Sequence, residues 1–342
     1  MENTSYRLES CSFIKTVLMM LVVLGHSMSF WNENWFVGKP IISSQGLSIL
    51  GSWIGSFHIY AFTLISGYIF AFKMMGGAYE KFSLFFFNKI KRLLVPYIFV
   101  AIIWVVPISE YFFRWNIREI MRKYILCENP SQLWFLWMLF DVFIVAWFMW
   151  KLFSRQDSIG FIVALIFYGV GVIGGSIFLN VFCIWTAFQY ILFFYMGIQL
   201  WMKKDRRILR GDITWKGWIL INIIVFIVDN IVQEEKNIFH LGIITGLFLH
   251  ISGALMAVYV LKEIAKSLRW KENTLFNLLS KYSMSIYLFH QQIIYITLTY
   301  FNGKVNPYIH VGINFFVSIL GAFIISYFLR YFRITKFLIG EK

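Results

Sequence analysis

Ten apolar stretches, each long enough to cross a bilayer as a helix, recur along the 342-residue chain and leave little room for anything else. They cover 13–31, 47–74, 93–113, 133–150, 159–178, 180–202, 214–233, 239–261, 275–300 and 308–332. The fifth and sixth are nearly continuous, divided only around Gly174, Gly175 and Asn180. The ninth, with Lys281, Ser283 and Gln291 inside it, is the most polar. The pattern predicts an all-α fold: a polytopic transmembrane bundle of about ten helices, one domain over residues 1–342, with no appended soluble domain.

Composition agrees. Hydrophobic residues make up 59% of the chain and charged ones 14%, against about 25% charged in a soluble domain. That much apolar surface exceeds what a water-soluble core can hide, and the lipid bilayer is its natural partner. The net charge of +14 would suggest nucleic acid for a soluble protein. Here the basic residues sit in short breaks between apolar runs, so no nucleic-acid partner is expected. Alternating the spans from a cytoplasmic N-terminus puts 24 Lys and Arg against 9 Asp and Glu inside, and 7 against 7 outside. This asymmetry places both termini in the cytoplasm. The polar start, Met1–Ser12, runs into the first span without a small-residue cleavage site, so it reads as a retained helix. Cys11, Cys127 and Cys183 lie far apart and predict neither a disulfide framework nor a metal site.

Ionisable groups inside spans are costly and therefore informative. Lys15 and His26 are eleven residues apart in the first span. That separation is about 20° beyond three helical turns, so both share one face, about 16 Å apart along the axis. A histidine there suits a general base acting on a hydroxyl, and equally a neutral interhelical hydrogen bond. The second span carries FHIYAFTLISGYIF, with His58, Ser66 and Gly67. Lys89, Lys91 and Arg92, followed by Pro96, stand at the mouth of the third span. They suit either the phosphates of a nucleotide donor or lipid headgroups. SMSIYLFHQQ places His290 in the ninth span. Asp141 lies within the fourth, where pairing with a lysine or arginine of a neighbouring helix is expected, with orientation of a histidine as the alternative. The outer break 110–128 carries Arg114, Arg118 and Arg122 at i, i+4 and i+8. On one helix they would share a face that suits lipid phosphates or an anionic or polar glycan. His240, His250 and His310 show no ligand spacing.

Taken in order, these phrases resemble the acyltransferase 3 family of membrane acyltransferases. Lys15, ten residues and then His26 resembles its first-helix signature, with Arg7 as the preceding basic residue. FHIYAFTLISGY, FNKIKRLLVPY, LWFLWMLF and SIYLFH resemble its second-helix, third-helix, Trp–Phe–Leu and late-helix segments. Two positions depart: Ser12 stands where the family usually has Asp, and Tyr60 where it usually has Pro. The resemblance implies transfer of an acyl group, usually from acetyl-CoA as co-substrate, to a hydroxyl of a cell-surface polysaccharide or its lipid-linked precursor. It implies a multi-pass protein of the bacterial cytoplasmic membrane with no bound cofactor or metal. His26 and Lys15 are then the expected catalytic pair, and Lys89, Lys91 and Arg92 the expected donor-binding set. His58, Ser66, His290, Arg114 and Arg118 are candidates for the acceptor or the oxyanion. The rival class is a transporter or flippase of a polar or lipid-linked glycan, which ten helices with intramembrane charge also fit.

Overall fold

The computed structural model describes residues 4–32, 36, 38–154, 156–202, 214–234 and 239–341. The expected cytoplasmic loop Lys203–Lys216 falls largely outside them, as do the side chains of Arg7, Glu9 and His240. Every element among the described residues is a helix. They are α1 (Thr4–Met28), α2 (Gln45–Gly55), α3 (His58–Met75), α4 (Phe82–Lys89), α5 (Val95–Val100), α6 (Val106–Phe113), α7 (Ile117–Tyr124) and α8 (Trp134–Phe153). There follow α9 (Asp157–Ile177), α10 (Ile184–Met202), α11 (Trp215–Glu234), α12 (Phe239–Ser267), α13 (Thr274–Phe301), α14 (Pro307–Tyr331) and α15 (Arg333–Leu338).

Nine spans among the described residues are long and apolar enough to cross a membrane. The tenth expected span is α13, which has the length, at 28 residues, but a more polar sequence. From Ser285 to Thr297 its polar groups are buried between helices. His290 and Gln292 are fully buried, and Gln132 Nε2 on the approach to α8 donates to Gln292 Oε1 at 2.6 Å and to the Leu288 carbonyl at 3.0 Å. A helix packed inside a bundle can carry such groups because its neighbours replace water as their partners. At the edge the reverse holds. Only 6% of the α11 window is buried, against 61% for the first span, and Ile223, Ile224, Ile227, Val228 and Ile231 of α11 face outward.

α3 and α10 form the closest crossing. A Cβ on Gly67 would run into the Phe194 carbonyl oxygen, and one on Gly197 into that of Leu64. Glycine is required on both sides because lipid tails are as apolar as leucine. Association then depends on backbones approaching closely.

Three boundaries differ from the sequence reading, each for a local reason. The second span is not one helix: it breaks at Ser56–Phe57 between α2 and α3. The third starts at Phe82, eleven residues early, and contains two π-helical turns, Ile90–Leu94 and Ala101–Val105. Pro96 and Pro107 stand at the start of the α-helical segments that follow. Proline lacks the N–H for the i−4 bond and crowds that carbonyl, and a π turn absorbs the mismatch. The third difference concerns the arginines. Arg114 ends α6 in the left-handed region, at φ 56, while Arg118 and Arg122 belong to α7. The expected single arginine face is therefore divided between two elements. The fifth and sixth spans separate where the sequence suggested: Asn180 Oδ1 accepts from the amides of Trp185 (3.0 Å) and Thr186 (3.4 Å) at the start of α10.

Candidate active site

Two cavities mark the bundle among the described residues, one towards each face. The larger, about 1000 Å³, is ringed by the middle of α1, the length of α3, the end of α4 with the π turn after it, the first half of α8, the first half of α13, and the ends of α14 and α15. Both chain ends therefore lie on one side of the bundle. Seven basic side chains line it: Lys15, Lys73, Lys89, Arg92, Lys281, Arg330 and Lys336. The one acidic group on its wall is Glu341, which pairs with Arg330 and accepts from Ser285 Oγ at 3.1 Å.

The sequence-predicted basic set divides here. The π turn at Ile90–Leu94 leaves Lys89 and Arg92 on the cavity wall, whereas Lys91 is exposed and outside it. Lys89 is buried, with Nζ 3.2 Å from the centre of the Phe143 ring and 5.1 Å from that of Tyr79. Lys15 Nζ stands 4.9 Å from the Phe62 ring centre. These cation–π contacts hold ammonium groups where water is scarce. Arg330 lies over Tyr282 at 3.7 Å and donates to the Lys281 carbonyl at 2.7 Å. Its Nε and Nη1 are buried without a hydrogen-bond partner among the described residues, so the guanidinium carries donor capacity that the protein does not use. In the sequence, Lys73, Lys281, Arg330 and Lys336 enter only through the count of basic residues that sets topology, and nothing in their spacing marks them as cavity residues.

The smaller cavity, about 430 Å³, is bounded by the outer half of α1, the α2–α3 break, the start of α8, and parts of α10, α11, α12 and α13. His26, His58 and His250 line it. The helix break supplies its histidine geometry. The Ile54 carbonyl accepts from His58 Nδ1 at 2.6 Å, and the Ser56 carbonyl from His250 Nδ1 at 2.8 Å. Irregular backbone at membrane depth is tolerated where it lines a cavity and its carbonyls find such partners.

His26 Nδ1 lies 2.8 Å from His290 Nε2, with the rings parallel within 9° and 5.0 Å apart. The tautomers follow from the partners. His290 Nδ1 lies 2.7 Å from the Tyr287 carbonyl and 3.1 Å from that of Ile286, so it must carry the hydrogen. A neutral imidazole then offers Nε2 as an acceptor. His26 therefore donates through Nδ1, and its own Nε2 carries the lone pair. The pair has the logic of a base held in one tautomer by a buried neighbour. Sequence reasoning named both residues but had no signal for their contact across 264 positions.

Other candidates fall elsewhere. Ser66 lines the basic cavity, not the His26 cavity, and its hydroxyl donates to the Phe62 carbonyl at 2.9 Å. Arg114 and Arg118 line neither cavity. Asp141 has no ion pair among the described residues, which corrects the expected basic partner. Its neighbourhood includes the buried thiols Cys127 and Cys183. Burial pushes the Cys127 thiol up to about 11, so it stays protonated at neutral pH and is no nucleophile.

Val22, Ile59, Phe135 and Tyr287 line both cavities and so form the partition between them. All four are buried. Tyr287 donates its hydroxyl to the Gln132 carbonyl, and Phe135 meets the Tyr287 ring edge-on at 5.8 Å. His26 sits one helical turn beyond Val22, on the far side of this partition. The chain matches no curated relative and no solved structure. A polytopic helical bundle with a half-buried histidine, His26, next to a basic chamber agrees with the match found over residues 9–331, to the family described as Acyltransferase domain, and the chain belongs to that acyltransferase 3 family of membrane acyltransferases.

Proposed function

We propose that the protein transfers an acetyl group from acetyl-CoA to a hydroxyl of a cell-surface polysaccharide or its lipid-linked precursor, in the bacterial cytoplasmic membrane. One observation carries the reading: a chamber with seven basic residues and a chamber holding His26 share a four-residue wall. CoA is polyanionic and cytoplasmic, and the basic chamber lies at the end that the charge count assigns to the cytoplasm. Its phosphates pair with Lys89, Arg92 and Arg330, while the thioester reaches the partition. The acceptor hydroxyl approaches from the opposite chamber.

His26 Nε2 takes the hydroxyl proton as the oxygen attacks the thioester carbonyl carbon. The resulting imidazolium keeps its Nδ1–H on His290. The tetrahedral oxyanion needs neutral donors. The Tyr60 and Tyr190 phenols and the Trp134 indole N–H line the same cavity. His58 is unsuited as a neutral donor because its one N–H is committed to Ile54. Collapse breaks the C–S bond, and the thiolate takes the proton back from His26. Lys15, about 16 Å away along α1, acts on the donor's charge rather than on the proton.

Purified protein with acetyl-CoA and a surface-glycan extract is the test, read by CoA release and by mass of the acetylated product. His26→Ala is expected to lower transfer by about 10² to 10⁴-fold. His26→Gln keeps a hydrogen-bonding amide but exchanges no proton near neutral pH. Near-normal turnover in His26→Gln would move the base elsewhere and sink this mechanism.

A further inference from the structure

The two chambers differ sharply in charge. Seven cations line one, whereas the one formally charged side chain on the other is Asp229 of α11. Asp229 is half-buried, its Oδ1 accepting from Thr245 Oγ1 at 2.6 Å, and no Lys or Arg lines the cavity with it. Facing it across the same space is an aromatic stack. The Tyr60 ring lies between His250 at 4.0 Å and 16° and Tyr190 at 4.7 Å and 11°, and Trp134 stands 5.8 Å from Tyr190. Asn230 and Ser52 add amide and hydroxyl groups.

From these contacts we infer that the His26 chamber is a binding site for an uncharged, hydroxyl-rich pyranose, and that Asp229 excludes anionic sugars from it. The inference rests on the acyl-transfer reading for its place in a reaction, but not for its binding chemistry. Flat rings offer the C–H face of a pyranose an apolar platform, and the rim amides and carboxylate take its hydroxyls. A carboxylate accepts hydrogen bonds from two hydroxyls without needing a counter-charge. An anionic sugar would instead bring a second negative charge into a site of low dielectric with no cation to offset it, which disfavours it strongly. A polyanionic ligand is thereby sorted to the basic chamber and a neutral polyol to this one. The outer arginines Arg114 and Arg118, which would favour an anionic glycan, line neither cavity.

Saturation-transfer NMR on the full chain in lipid nanodiscs, free of glycoside detergent, tests it. The probes are methyl glucoside and methyl glucuronide, which differ by a carboxylate. The wild type is expected to bind the glucoside at least tenfold more tightly than the glucuronide. Asp229→Asn is expected to erase most of that preference by admitting the glucuronide. Trp134→Ala is expected to weaken the glucoside. Equal binding of both sugars by the wild type would overturn the inference, as would binding of neither. So would an unchanged preference in an Asp229→Asn protein that still elutes as a monodisperse peak. Preserved sugar discrimination with no acyl transfer from acetyl-CoA would instead sink the proposed function and leave this site standing.

Discussion

The histidine pair depends on where its hydrogens sit. His290 is fully buried, and the Tyr287 and Ile286 carbonyls hold its Nδ1–H. It lines neither chamber, and on the proposed mechanism it is a positioning residue for His26. His290→Ala is expected to lower kcat by on the order of 10²-fold while leaving KM for acetyl-CoA unchanged. His290→Gln, which keeps an acceptor oxygen, should recover part of the loss. A matched rise in KM would show damage to the donor chamber instead. His26 and Lys15 were legible in the sequence because both lie on one helix, where spacing determines the face. The partner of His26 was not, because a single sequence carries no sign of which helices will be neighbours. Nor was the role of His250, whose ring stacks on Tyr60.

Helices here are interrupted where chemistry needs a carbonyl or a change of register. Around the π turn before Pro96, buried Lys89 and exposed Arg92 line the basic cavity and Lys91 does not. Lys89→Gln with Arg92→Gln is expected to weaken acyl-CoA binding and flatten its salt dependence, whereas Lys91→Gln is expected to change neither. Equal losses from all three would make the run a simple electrostatic patch. The charge run itself was legible; the π turn was not, since it arises from how Pro96 is accommodated within a continuous helix. The α2–α3 break at Ser56–Phe57 was equally hidden inside an unbroken apolar run. Between elements, the α3–α10 crossing depends on Gly67 and Gly197. Alanine at either is expected to lower thermal stability by ~1–3 kcal/mol, the usual cost of overpacking, read as earlier loss of the monodisperse peak on heating. A neutral result would mean that the two helices separate freely.

Across the whole molecule, the helical bundle was readable from apolar length: nine of the expected spans are long and apolar enough among the described residues, and α13 is the polar tenth. The partition was not readable, because Val22, Ile59, Phe135 and Tyr287 come from four different helical segments. On the proposed mechanism its buried side chains limit what passes from the thioester to His26. Phe135→Ala or Val22→Ala is expected to raise kcat/KM for butyryl-CoA relative to acetyl-CoA by about tenfold or more, the scale of one or two methylenes in an apolar pocket. A ratio unmoved in active variants would place size selection elsewhere. The same wall has an electrical consequence. On the proposed reaction the acyl group leaves an inner sulfur and a proton from the outer hydroxyl takes its place, so each side starts and finishes with its charge unchanged. Moving one elementary charge would be worth about 2.3 kcal/mol per 100 mV, and this exchange moves none. The resting voltage of the cell therefore neither helps nor hinders it, and the outer ester is made at the expense of the thioester alone.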